Sequence, residues 1–393
     1  MLQLSFVNFR KDSFLLVEGK TNSDRFYIIQ SGKVRCVKSH SVAGEEQTIL
    51  GPGDFIGVIP CMSGHAQIES VVAVTDVVAI SVRKDQYPEL IEKNTPVAMK
   101  IIRTFSNKMR LVNENLTRLT LKNTSEDSPE QLFKIASYYE QNGMTDLAIF
   151  GYYQYMKACP TGPNVAKAKT RFIALKPRSH AVYFEPDAQP VRTYPKNTMI
   201  FSECQSGQEM FIIQEGQVKI SKVVDGNEVI LAVLKKGEFF GEMALLENKP
   251  RSASAIAFED CRLMTVNSQN FNQMVATQPQ LIARLTTTLA ERLWSMSRQL
   301  ENTRIKEPVF RMFDMLALQL EKARVPIEQT KSYHFDLTPY DLVHMCGIPQ
   351  EQQAMCLNRF ITDSRVRIDQ GKIFVPDCPE LVKAAAFYRK QAK

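Results

Sequence analysis

Short runs of alternating apolar and polar residues recur along the chain, as in FIIQEGQVKIS (Phe211–Ser221) and EVILAVL (Glu228–Leu234), each broken by Gly, Pro or Asp. A period of two predicts strands with one buried face, and many short strands between turn signals predict a small antiparallel barrel or jelly roll. The pattern occurs twice. YIIQSGKVRCVK (Tyr27–Lys38) matches FIIQEGQVKISK (Phe211–Lys222), and LGPGDFIG (Leu50–Gly57) matches LKKGEFFG (Leu234–Gly241), both at an offset of 184 residues. The register holds into the eighties, where SVRKDQYPELI lies over TVNSQNFNQMV, so two copies of one domain are present.

After each copy the period changes to that of a helix. Ile102, Phe105, Met109, Val112, Leu116 and Leu119 are spaced 3, 4, 3, 4, 3, and Leu289, Leu293, Met296 and Leu300 are spaced 4, 3, 4, with Arg292 and Arg298 beside the seam. Such seams require a partner helix. Two arrangements stay open: pairing with a second chain in a homodimer, or pairing of the two helices within one chain as a pseudo-dimer.

Between the copies, Ser128 and Gln131 are placed as a capping box with Pro129 at the first helical position. Onward from there, Leu132, Ile135, Ala136, Tyr139, Gly143, Ala148, Tyr152, Tyr155 and Pro160 resemble one tetratricopeptide repeat, although Leu132 stands where tryptophan is usual. A lone repeat cannot bury its own faces, so it packs on a barrel, on the helix Asn164 to Leu175, or on a protein partner.

Near the C-terminus the grammar is helix, glycine turn, helix, two-stranded wing. Thr338 caps a first helix with Pro339 at its first position, Gly347 turns, and Pro349 opens a second helix to about Ile361. Asp369-Gln370-Gly371-Lys372 then joins Arg365–Ile368 to Ile373–Val375.

Composition adds limits. With 44% hydrophobic and 23% charged residues among 393, the chain is that of several folded domains rather than a disordered segment. The net charge of +7 leans toward polyanions, yet no run of five Lys/Arg forms a nucleic-acid tail. No stretch has the ~18 uninterrupted apolar residues a membrane helix needs, so a cytoplasmic protein without a membrane partner is expected. The eight cysteines form no CxxC and none sits beside a histidine at ligand spacing, so reduced thiols and no metal are expected. No G-x-S-x-G, HExxH or Walker loop is present, which argues against an enzyme.

The run Gly237-Glu238-Phe239-Phe240-Gly241-Glu242, followed by Pro250-Arg251-Ser252-Ala253, resembles the cyclic-nucleotide-binding cassette of the Crp/Fnr family. A cyclic phosphate held inside a barrel needs a fixed cation and backbone donors. The resemblance implies Arg251 on the phosphate, the turn at Gly241 aiming the Met243 and Ala244 amides inward, and Glu242 accepting from the ribose 2′-hydroxyl. It also implies an assisting Ser252, with Arg292 and Ser297 on the long helix closing over the nucleotide. In the first copy Val58, Pro60 and Gln67 stand where the second has Glu242, Ala244 and Arg251. A buried anion there would lack compensation, so one nucleotide per chain is expected. Cyclic AMP is the default and cyclic GMP the alternative, because Met296-Ser297 retains only one hydroxyl of the pair that adenine-reading relatives carry.

The C-terminal grammar resembles the winged helix-turn-helix of the same family, which implies double-stranded DNA as partner. Gln350, Glu351 and Gln353 open the recognition helix, with Arg359, Arg365 and Arg367 placed for phosphates. Two arginines usual in the family's recognition helix are missing, one of them replaced by Met355. The expected architecture is an α+β multidomain chain: a degenerate jelly roll (1–95), a coiled-coil-type helix (96–122), a helical insert (123–178), an intact jelly roll (179–276), a switch helix (277–303) and the winged module (304–393). A cyclic-nucleotide-responsive transcriptional regulator is the leading expectation. The alternative is a nucleotide-gated scaffold whose insert holds a protein and whose tail holds no DNA. Tandem sensor domains are also similar to kinase regulatory subunits, but no RRxS-type pseudosubstrate precedes them.

Overall fold

The alternating runs form two barrels, each of two four-stranded antiparallel sheets. The computed structural model describes residues 4–21, 23–38, 48–121, 128–181, 184–185, 189–224 and 226–392. In the first barrel one sheet runs Ser5–Phe9, Val77–Arg83, Arg25–Ser31, Phe55–Ile56, and the other Phe14–Leu16, Ser70–Ala73, Val34–Val37, Ile49–Leu50. In the second, Val191–Tyr194, Cys261–Asn267, Glu209–Glu215 and Phe239–Phe240 face Met199–Phe201, Ser254–Ala257, Val218–Val224 and Asn227–Leu234. The sequence offset survives as strand register: Tyr27 pairs with Ile56 and Phe211 with Phe240, each 184 residues on. Each barrel encloses a core of inward residues, among them Ile29, Val34 and Val71 in the first and Ile213, Val218 and Leu263 in the second.

Helix α1 (Val58–Ser63) lies in the first barrel and is followed by α2 (Tyr87–Lys93) and the long α3 (Thr95–Leu121). Three helices fill the insert: α4 (Glu130–Gln141), α5 (Thr145–Ala158) and α6 (Val165–Leu175). The α4 start corrects the expected capping box. Pro129 precedes the first helical residue, the Ser128 hydroxyl accepts from the Glu130 amide, and the Gln131 side chain donates to the Val223 carbonyl instead of reaching back. That bond belongs to a larger contact, because Leu132, Ile135 and Tyr139 share a core with Met199, Val223 and Ile256 of the second barrel. Of the open packing choices two are used together: the insert packs on the second barrel and on the helix Val165–Leu175, whose Ala168 lies in the same core.

The second barrel contains α7 (Glu242–Glu247) and leads through α8 (Ser268–Thr277) into α9 (Pro279–Asn302). After α10 (Pro308–Lys322) come α11 (Pro339–Met345), α12 (Gln350–Ile361) and α13 (Cys378–Gln391). The Thr338 hydroxyl accepts from the Asp341 amide and Asp341 returns the bond, a reciprocal cap that fixes where α11 begins. A three-stranded sheet, Tyr333–His334, Lys372–Val375, Arg367–Asp369, completes the module. Among the described residues no helix is long and apolar enough to cross a membrane, and no two cysteines form a disulfide.

The chain divides into two compact units whose borders cut through both long helices. One unit holds residues 1–86, 111–122 and 290–393; the other holds 87–110 and 123–289. Each barrel therefore shares a unit with part of the helix that follows the other barrel. Ile102, Phe105, Met109, Leu116, Leu289, Leu293 and Leu300 of the two seams are buried in a single chain, while the Leu119 side chain lies outside the described residues.

Candidate functional site

Gly241, with φ of 77°, ends the Phe239–Phe240 strand in the left-handed region and turns the chain into α7. The turn brings the Gly241 carbonyl to Arg251, whose Nη1 donates to it at 2.8 Å. Arg251 is 5% exposed, and its guanidinium carbon stands 4.1 Å from the centre of the Phe201 ring and 5.9 Å from that of Phe211. Its Nε is buried with no acceptor, and the residue makes no ion pair among the described residues. Burial pushes the Arg251 pKa down from the ordinary arginine value to about 10, against the opposing pull of Glu209 and Glu242. Arg251 thus stays charged at neutral pH, at a cost that an anion at Nε would relieve. The Glu209 carboxylate accepts from Arg192 at both oxygens, at 2.8 and 2.9 Å.

Glu242 and Ala244 are buried on α7, and the Ser252 hydroxyl lies 3.7 Å from the Met243 sulfur. Arg292 and Ser297 belong to the other unit. There Ser297 lines a cavity of about 270 Å³ with Glu18, Lys38, Ile68 and Val112.

Sequence reasoning missed Phe201, Phe211 and Gly207. A Cβ on Gly207 would lie 2.4 Å from Arg251 Nε, so this glycine leaves the face against which the guanidinium rests. The signal was present as the phenylalanine and glycine of FSECQSGQEMF. In Gly207→Ala the clash falls on the far end of a flexible side chain, so the fold should persist while Arg251 is displaced. Nucleotide affinity is expected to fall about tenfold, roughly 1.4 kcal/mol, with an unchanged melting transition; calorimetric titration checks both.

The first copy fills the equivalent space with its own side chains. A Cβ on Gly241 would meet Arg251 Nη1, whereas one on Gly57 would meet Leu16 Cδ1. Gln67 is buried and donates to the Ser23 hydroxyl at 2.9 Å. Every residue of α1 is buried, and its last carbonyls are taken by cations: Lys84 Nζ donates to Met62 and Arg324 to Ser63, each at 2.7 Å. His65 stacks on Trp294 of α9 with centroids 3.7 Å apart and planes 12° from parallel. Burial, then the Arg324 charge, lower the His65 pKa, which keeps the stacked ring neutral.

On the C-terminal module the six residues expected at DNA divide. Gln350, Glu351 and Arg367 are exposed. Gln353 is turned inward, its amide donating to the Ile348 carbonyl at 3.0 Å, and Arg359 pairs with Glu307 at 2.9 Å. Arg365, expected on a phosphate, is committed elsewhere: it is paired with Asp363, bonded to the Tyr388 hydroxyl and stacked 4.1 Å over Phe313. Tyr340, Met355, Ile361 and Ile368 are exposed on the same module.

The cyclic nucleotide-binding domain family model matches residues 6–94 and 191–278. Cyclic AMP receptor protein of Thermus thermophilus is 28% identical over 195 residues, covering 49% of this chain and 87% of that protein. Human cGMP-dependent protein kinase 2 is 36% identical over 98 residues, 24% of this chain and 13% of the kinase. The solved Thermus thermophilus catabolite activator protein covers 50% of this chain and 90% of its own, at 27% identity and a TM-score of 0.29.

Proposed function

We propose that this chain, with two cyclic nucleotide-binding domains and relatives among Crp-type regulators, is a regulator that binds one cyclic nucleotide, in its second barrel. Arg251 takes the cyclic phosphate, Glu242 accepts from the ribose 2′-hydroxyl, and the Met243 and Ala244 amides complete the anion site, with Ser252 beside them. The observation that carries this reading is the buried, charged Arg251 with an unpartnered Nε. The first barrel, with Leu16 and Gln67 in place of a cation site, takes no nucleotide. Cyclic AMP is the proposed ligand, on the strength of the cyclic AMP receptor protein among the relatives.

The output proposed for the C-terminal module is winged helix-turn-helix binding to double-stranded DNA, supported by the capped α11, the exposed start of α12 and Arg367. A second reading, contact with a protein, is favoured by the commitment of Gln353, Arg359 and Arg365 to partners in the chain and by exposed Tyr340 and Met355. Calorimetric titration with cyclic AMP and cyclic GMP should give one site per chain; two sites would refute the inert first barrel, and none would refute the sensor. Fluorescence anisotropy on mixed-sequence duplex at two salt concentrations separates the outputs. DNA binding that weakens with salt supports the first, and its absence with nucleotide bound supports the second.

A further inference from the structure

We propose that Arg110 of α3 is a positioning residue for the nucleotide site of the second barrel, so that the helix following the first barrel sets the affinity of the second. The proposal rests on the reading of Arg251 and Glu242 given above. Glu247 ends α7, which begins at Glu242, and its side chain is 3% exposed. One of its carboxylate oxygens accepts from Arg110 Nε at 2.5 Å and the other from the Ser106 hydroxyl at 2.7 Å. Arg110 Nη2 also donates to the Pro250 carbonyl at 3.2 Å. Arg110 is 4% exposed and Ser106 fully buried.

One guanidinium therefore ties the end of the helix that starts with the ribose carboxylate to the residue immediately before the phosphate-binding arginine. Separation of these two segments would pull Glu242 and Arg251 apart, and Arg110 holds them together from outside the barrel. Residues 106, 110, 247 and 250 all lie in one compact unit.

The first copy provides an internal control. At the 184-residue offset Arg110 corresponds to Trp294 and Glu247 to Ser63. In the other unit Trp294 also lies against the opposite copy's cassette region, but through a ring stack on His65. Each long helix thus docks at the same place on the other copy, and the ionic fork occurs where Arg251 is present. A docking role alone is met by the stack; the fork adds a fixed geometry between two segments.

The test measures cyclic AMP affinity and dissociation rate of the full chain for the parent, Arg110→Gln, Glu247→Gln and the exchanged pair Arg110→Glu/Glu247→Arg, with melting temperatures alongside. Each single variant is expected to bind about tenfold more weakly, within the roughly 5- to 150-fold range of couplings between linked sites, mostly through faster dissociation, and the exchanged pair should recover part of the loss. Folded single variants that bind within twofold of the parent would overturn the proposal, as would a lower melting temperature with unchanged affinity. Should Arg110→Gln not fold, Ser106→Ala removes one donor to Glu247 and carries the same test, with weaker binding expected and parental affinity overturning it. Absence of binding by the parent would overturn the site reading itself, whereas parental binding with unaffected variants overturns only the role of Arg110.

Discussion

Replacing Arg251 with glutamine should lower cyclic-nucleotide affinity at least about a hundredfold while leaving the unliganded chain as stable as the parent or more so. The affinity loss follows because the cyclic phosphate would enter a closed pocket with no cation; removing one partner of a buried charge pair costs about 2–5 kcal/mol. The stability follows from the sign of the pKa shift. Burial lowers the folded pKa to about 10, so between that pH and the ordinary arginine value the unfolded chain binds the extra proton and stability rises with pH. Below about pH 10 the folded chain carries the full penalty, roughly 3 kcal/mol from a shift of that size. Removing the charge relieves this cost, and the lost bond to the Gly241 carbonyl and stacking on Phe201 offset part of the gain. Melting curves with and without nucleotide check both halves: the parent gains stability on binding by mass action, and the variant does not. A variant that melts well below the parent without ligand would show that Arg251 is structural.

Asp314→Ala should destabilise the unit that holds the C-terminal module by about 3–5 kcal/mol. Asp314 on α10 is fully buried and accepts from Arg389 of α13 at 2.6 Å and from Asn302 of α9 at 3.0 Å, with Arg298 of α9 3.8 Å away. Burial works against the Arg298 charge, but Glu321, Asp314 and Glu301 outweigh it and hold its proton more firmly than in an ordinary arginine. Without Asp314 that buried guanidinium loses compensation where three helices meet. Trp294, the single tryptophan, reports on this unit, since it is buried against His65. Urea unfolding followed by its fluorescence should show an earlier midpoint, with a melting temperature lower by roughly 10 °C. Nucleotide affinity should be retained, because the Arg251 pocket lies in the other unit; loss of both would show that the network supports the whole chain.

The barrels were legible in the sequence because strand alternation and register are local and were written twice. The Arg251 cassette was legible because its residues lie within a short run, and the cap at Thr338 because it spans four residues. What stayed hidden depends on partners far along the chain. A 3-4 seam states that a helix needs a partner and not which one, so exchange of helices between barrels could not be read from Phe105 or Leu289. Arg110 and Glu247 are 137 residues apart and unremarkable separately. The intrachain bonds of Gln353 to the Ile348 carbonyl and of Arg365 to Asp363 were not legible either, because residue type alone does not say which partner a side chain takes. The capping box at Ser128 failed because the Val223 carbonyl of the second barrel competes for Gln131.

The exchange of long helices within one polypeptide has a consequence for dose. Where two identical subunits trade helices, dilution separates them, and occupied pockets influence one another across the symmetry axis. Here the traded segments are covalently joined, so a chain that acts alone with the single proposed pocket would give a hyperbolic saturation curve, with a Hill coefficient of about one. On that proposal the nucleotide level at which the pocket fills would be set by one dissociation constant and would not change with the concentration of the protein.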